Sequence, residues 1–104
     1  MDLDEILMVH KTWKKRYAKR NFEGTNLEGA SFECADMSFT NFESANLRNA
    51  NLRDTNLSCS LLYTASLINA DCTNANFKGA ELLGADFTGA ILTGATMPDG
   101  TVHP

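Results

Sequence analysis

Long hydrophobic runs are missing from this chain: no stretch of its 104 residues approaches the roughly twenty apolar residues that a membrane helix needs. The acidic opening, with Asp2, Asp4 and Glu5, lacks the basic segment of a secretion signal. The default expectation is a cytoplasmic protein with no membrane partner. Cysteine is scarce. Cys34, Cys59 and Cys72 show no CxxC spacing and have no histidine nearby, which removes the usual zinc-site patterns and suits a reducing compartment. The two histidines, His10 and His103, belong to opposite termini, so neither pairs with the other in a metal or catalytic set. GxGxxG and P-loop signatures are absent too, and no carboxylate pair stands apart from its neighbours as an acid–base couple. The expectation is a protein that is not an enzyme, with no cofactor and no metal.

Basic residues are also rare over most of the length. Residues 21–104 contain only Arg48, Arg53 and Lys78 against ten acids, whereas residues 1–20 hold six bases and three acids. The body is therefore net −7 and the leading segment +3, which together give the overall −4.

What is present is a period of five. Reading every fifth residue from Phe22 gives Phe22, Leu27, Phe32, Met37, Phe42, Leu47, Leu52, Leu57, Leu62, Leu67, Cys72, Phe77, Leu82, Phe87, Leu92 and Met97, all apolar. Two residues before each stands a small side chain, from Thr25 and Ala30 through to Ala95, and only Arg20 breaks that column. On an α-helix five residues advance about 140° past a full turn, so the apolar column would smear around the circumference. On an unbroken strand an odd period alternates faces and would push half the Leu and Phe residues outward. The pattern closes only if each five-residue unit is a short extended piece followed by a turn. The small and large residues, two apart, then both point inward, and the residue between them, most often Asn, Asp or Ser, points out. Corner positions are rich in Gly, Asn and Asp, which tolerate turn dihedrals, as at Gly24, Asn49, Asp54 and Gly89. Small units that stack to bury a shared core make a solenoid.

The units Asn46–Ala50 and Asn51–Thr55, together with Asn76–Ala80 and Asp86–Ala90, resemble the A(D/N)LXX motif of the pentapeptide-repeat family. The resemblance runs without insertion over residues 20–99. It implies an all-β solenoid, a right-handed quadrilateral β-helix with four units to a square coil, hence about four coils from sixteen units. The organisation expected is an N-terminal amphipathic capping α-helix over 1–19, the repeat body over 20–99 and a short tail over 100–104. With four units per coil, Glu28 lies under Arg48 and Glu33 under Arg53, and both pairs are expected to form exposed ion pairs of about 0.2–1 kcal/mol.

A solenoid exposes unpaired edges at both ends. Residues 2–19 lack Gly and Pro and place Leu3, Ile6, Leu7, His10, Trp13 and Tyr17 at helical spacing. Leu3, Ile6, Leu7, Trp13 and Tyr17 are therefore the expected capping contacts over Phe22, Leu27, Phe32 and Met37. At the other end Pro98, Asp99 and Gly100 signal a turn that would bring Val102 back over the last coil as a minimal lid.

Function on such a body is displayed on flat faces, so outward positions that break the polar rule stand out. Leu61, Tyr63 and Leu83 fall on one face, with Ile68 around the corner, and form the expected interaction patch; Phe39 and Ile91 read as isolated exceptions. The expected role is a non-enzymatic protein-interaction or structural module with an unidentified protein partner and no direct nucleic-acid binding. A weak homodimer through the C-terminal end or the Leu61/Tyr63/Leu83 face is a further expectation. The resemblance implies one alternative: an acidic rod that mimics DNA and acts on a type II topoisomerase or another nucleic-acid-binding protein.

Overall fold

In the computed structural model residues 17–104 are described. Parallel bridges join residues twenty apart: Asn21 to Asn41 to Leu61 to Glu81 on face one, and Asn26 to Asn46 to Ser66 to Asp86 on face two. Ser31, Asn51, Asp71 and Ile91 form the same series on face three, and Asp36, Asn56, Asn76 and Thr96 on face four. Twenty residues therefore make one four-sided coil, and there are four coils. Each face contributes a single bridge residue per coil, so the walls are stacked short rungs and not continuous strands.

The corners explain why the period is five. From Lys19 to Gly94 every fifth residue has positive φ, between 56° and 75°. In nearly every unit the N–H three residues past the central residue returns to that residue's carbonyl, as from Ala30 to Leu27 and from Ala70 to Leu67, both at 3.0 Å. Positive φ at the third position with this bond defines a type II turn. Four such turns close the square. The turns also fix the ladder, because the N–H groups of the central and corner residues donate to the next coil: Phe42 to Leu61 at 2.7 Å and Ser44 to Tyr63 at 2.9 Å.

Inside, the large column and the small column both pack as expected. Phe22, Leu27, Phe32, Met37, Phe42, Leu47, Leu52, Leu57, Leu62, Leu67, Cys72 and Phe77 are all buried, with Ala30, Ala35, Ala45 and Ala50 between them. Where a buried small residue carries a hydroxyl, that group has an acceptor: Thr40 donates to the Tyr17 carbonyl at 3.1 Å, Thr55 to the Phe32 carbonyl at 2.8 Å and Ser60 to the Leu57 carbonyl at 2.7 Å. Buried polar groups are thus satisfied within the stack.

At the N-terminal end, Leu3, Ile6, Leu7 and Trp13 lie outside the described residues, and so does nearly all of the expected helix. Its last three residues are not helical. Tyr17 donates its N–H to the Asp36 carbonyl at 2.8 Å and Lys19 donates to Ser38 at 2.9 Å, so residues 17–19 form a rung directly beneath Met37. Tyr17 is fully buried, its ring edge-on to Phe32 at 5.5 Å and to Phe22 at 6.2 Å. The aromatic ring fills the core position that the period assigns to it, with Lys19 at the corner (φ 65°).

At the C-terminal end the tail does turn back: Val102 bridges antiparallel to Thr96, and His103 exchanges backbone bonds with Gly94 and Ala95. This covers only the top of face four and its adjoining corner. Val102 itself stays exposed, and Leu82, Phe87 and Leu92 are only half-buried. Among the described residues, the N–H groups of Leu82, Gly84, Phe87, Gly89 and Leu92 and the carbonyls of Ala85 and Ala90 have no backbone partner.

Candidate functional site: face one

Face one is built from two outward columns flanking the buried Phe22, Phe42 and Leu62 and the half-buried Leu82. One column runs Asn21, Asn41, Leu61, Glu81, joined by bridges. The other runs Glu23, Glu43, Tyr63, Leu83, whose carbonyls at 43, 63 and 83 accept equivalent bonds from Gly24, Ser44 and Thr64. The lower two coils follow the polar rule. Asn21 and Asn41 fold their side-chain oxygens back onto the N–H groups of Glu23 and Glu43 at 3.0 and 2.9 Å. In the third coil the rule fails: Leu61 cannot make that turn and Tyr63 replaces the acid. Leu83 continues the column above, 77% exposed, while Leu61 is 37% exposed and Tyr63 half-buried. Ile68 is placed on face two, half-buried and separated from Tyr63 by the Thr64 corner.

Phe39, which the sequence shows as a lone exception, stands at the corner where face four turns into face one. It lies between Lys19 below and Cys59 above, and is 60% exposed with φ of 57°. A bulky residue in the left-handed region is unusual, since Gly or Asn reaches it at lower cost. Thr64, at the opposite corner of face one, is a β-branched residue at φ 56°; its hydroxyl lies 2.6 Å from the Tyr63 carbonyl and 2.8 Å from Ser44 Oγ. Other corners use the cheaper residues for a packing reason as well: a side chain at Gly89 or Gly94 would run into the amide oxygen of Asn69 or Asn74 one coil below. The signal that identifies Phe39 is the corner column itself, which shares an edge with face one.

The other faces are knitted by polar bonds. Arg53 reaches diagonally to the next coil and pairs with Asp71 at 3.1 Å, and Arg48 donates from Nε to the Ser66 hydroxyl at 3.1 Å. The expected pairs Glu28–Arg48 and Glu33–Arg53 do not form among the described residues. Asp71 is already fixed by the Thr73 N–H and hydroxyl (3.1 and 2.6 Å) and so offers Arg53 a preorganised acceptor, whereas Glu33 takes a bond from Asn51 at 3.3 Å. The hydroxyl of Thr73 holds the Asp71 carboxyl below its ordinary range, and Thr88 and Thr101 do the same for Asp86 and Asp99. All three cysteines are free; burial pushes the Cys72 thiol up to about 12, while Cys34 and Cys59 are exposed at corners. Glu33, Cys34 and Asp54 bring three metal-ligating atoms within 4.8 Å of one another at the surface, an acidic corner of a kind common without any ion.

The unit repeat and the twenty-residue coil set the family. The sequence pattern described as Pentapeptide repeats matches in eight copies over residues 21–58 and 61–94. The chain belongs to the pentapeptide-repeat family. Its members form right-handed quadrilateral β-helices, and the observed four-sided stack is that fold. Among solved structures, this pentapeptide-repeat protein is similar to alr5209 from Nostoc PCC 7120, with 29% identity and a TM-score of 0.82, covering 86% of this chain and 74% of that one. It is similar to AT2G44920 from the Arabidopsis thaliana thylakoid lumen, with 27% identity, a TM-score of 0.56 and coverage of 86% and 69%. It also resembles HetL of Nostoc sp. PCC 7120, involved in heterocyst differentiation regulation, with 30% identity and a TM-score of 0.50; 85% of this chain aligns with 43% of HetL. No curated protein matches the sequence significantly.

Proposed function

We propose that this pentapeptide-repeat protein is a non-catalytic interaction module that binds a partner protein through face one, with Leu61, Tyr63, Leu83 and Phe39 at the contact. The observation that carries the reading is Phe39 itself, an exposed aromatic residue held at a positive-φ corner where the fold would be served better by Gly or Asn. Backbone strain retained beside exposed apolar area points to use. Tyr63 adds apolar surface with a phenol, a combination enriched at interface centres. The regulatory role stated for HetL is in keeping with a module that works by binding. The acidic-rod alternative calls for negative charge spread along the body, whereas here Leu61, Tyr63 and Leu83 interrupt it and faces two, three and four each carry a base.

The test is the double variant Tyr63→Glu/Leu83→Glu. Its stability should stay within about 1 kcal/mol of the parent in chemical denaturation, while capture of the specific partner, identified by mass spectrometry from native extract, is lost. Retained capture places the contact on another face; capture of a topoisomerase that survives the substitution favours the acidic rod. Light scattering on the same samples reads self-association, and a dimer indifferent to the substitution assigns that contact to the C-terminal end.

A further inference from the structure

Face one differs from the other three in charge as well as in apolarity. Its outward positions carry Glu23, Glu43 and Glu81 and no base, whereas Arg48 lies on face two, Arg53 on face three and Lys78 on face four. Among the described residues none of the three glutamates takes part in an ion pair, and their carboxylates accept no hydrogen bond. Bases flank the face without pairing across it: Lys19 and Arg20 precede Glu23 at its foot, the Arg20 guanidinium lying over the Tyr17 ring at 6.0 Å, and Lys78 stands across the Gly79 corner from Glu81. Among the described residues Glu43 and Glu81 form no ion pair, and the first lies directly under Tyr63 and the second directly over Leu61. Elsewhere on this body a comparable carboxylate, Asp71, is answered by Arg53.

Resting on the reading of face one as the contact surface, we infer that its partner is a cationic amphipathic polypeptide segment. Apolar side chains of the segment sit on Leu61, Tyr63, Leu83 and Phe39, and lysines or arginines at its flanks meet Glu43 and Glu81. The size of the patch argues for a segment and not a globular subunit. From the Phe39 corner to Leu83 it spans between two and three rungs, about 10–14 Å at the rung spacing of a β-ladder, which is about two to three turns of an amphipathic helix. The four side chains present on the order of a few hundred Å², below the roughly 800 Å² per partner of a standard protein–protein interface. Charge decides the rest. A second copy docked face to face would oppose its own glutamates, and nucleic acid or an anionic lipid surface would meet the same repulsion, whereas a basic segment gains complementarity and faster encounter.

The test uses the intact protein and four synthetic probes: an amphipathic Leu/Lys peptide, its Leu/Gln and Leu/Glu counterparts, and oligolysine. Binding is read by amide chemical-shift changes, which report location as well as affinity. The expected result is salt-sensitive binding of the Leu/Lys peptide with shifts confined to Phe39, Leu61, Tyr63, Leu83 and their neighbours. Affinity should fall at least about tenfold, the scale of an interface hot spot, in either Tyr63→Glu/Leu83→Glu or Glu43→Gln/Glu81→Gln. Glu28→Gln, on face two, should change little. Equal binding of the Leu/Gln peptide at face one, indifferent to Glu43→Gln/Glu81→Gln, overturns the cationic partner and leaves face one as a contact surface. Oligolysine binding as tightly as Leu/Lys, with shifts spread over every acidic face, overturns it as non-specific attraction. Absence of shifts on face one with all four probes overturns it too.

Discussion

At the scale of single residues, the corner is where this fold is most demanding and where the chain departs from the cheapest solution. Ten of the corner positions are filled by residues other than glycine, all with φ between 56° and 65°. Asn and Asp accept that geometry readily; Phe does not. Replacing Phe39 by Asn, the residue found at the equivalent corners 49, 69 and 74, should leave stability unchanged or raise it by up to about 1 kcal/mol. Urea denaturation reads the difference, and a loss greater than that would show Phe39 to be anchored by packing and not displayed. The inward columns were fully legible in the sequence, because one residue type recurring at one period has a single geometric solution. The place of Phe39 was not, since it precedes Leu61, Tyr63 and Leu83 by 22 to 44 residues and only the closed square brings its corner to the edge of that face. Tyr17 was ambiguous for a different reason. It fits both the helical stripe of residues 3–17 and the five-residue column below Phe22, and the Lys15 that precedes it by two lacks the small side chain that marks the other repeats.

At the scale of the rung, the same short motif is reused: an outward Asp followed two residues later by Thr. In Asp71–Thr73, Asp86–Thr88 and Asp99–Thr101 the carboxylate accepts both the hydroxyl, at 2.6 Å each, and the backbone N–H. These bonds are stronger to the ionised acid, so each carboxyl holds its proton more weakly folded than unfolded. A depressed folded value contributes stability above the ordinary carboxylate range, and that stability is lost as the pH falls through the lowered value. Denaturation midpoints should therefore hold near neutrality and decline below about pH 4, the ordinary carboxylate range. The triple variant Thr73→Val/Thr88→Val/Thr101→Val should show a shallower acid decline; an unchanged slope would mean that other carboxylates govern it. Buried Tyr17 and Cys72 act at the opposite limit: burial raises both to about 12, so their contribution is present at neutral pH and is lost as the pH rises towards that value. The diagonal Arg53–Asp71 pair could not be read from the repeat, which predicts what lies directly above a residue but not which rotamer is already held.

At the scale of the whole molecule, the two ends of the stack are unequal. Leu52 lies mid-stack and fully buried, whereas Leu82, the same residue at the same position of its unit, is half-buried beneath an edge that the tail leaves open. Leu52→Ala should cost on the order of 2–5 kcal/mol and Leu82→Ala distinctly less. Equal losses would show that the open end is covered in solution, and by implication that the molecule self-associates there. The four-coil body was legible because the period gave the unit and the family resemblance gave four units to the square. The extent of the lid was not, because a turn signal at residues 98–100 says that the chain reverses without saying which face it then follows.

The twenty-residue spacing of the bridges also bears on how the chain reaches this state. Every coil closes a loop of the same length, so the entropic cost of closure does not grow as the stack lengthens. Among the described residues the first full coil has only the Tyr17–Lys19 rung beneath it, and each later one is laid on an edge that already presents its donors and its apolar columns. Contact between distant parts of the sequence is never required among the described residues, because no ladder bond reaches beyond the adjacent coil. Folding can therefore follow synthesis, each coil setting as soon as its twenty residues are free of the ribosome.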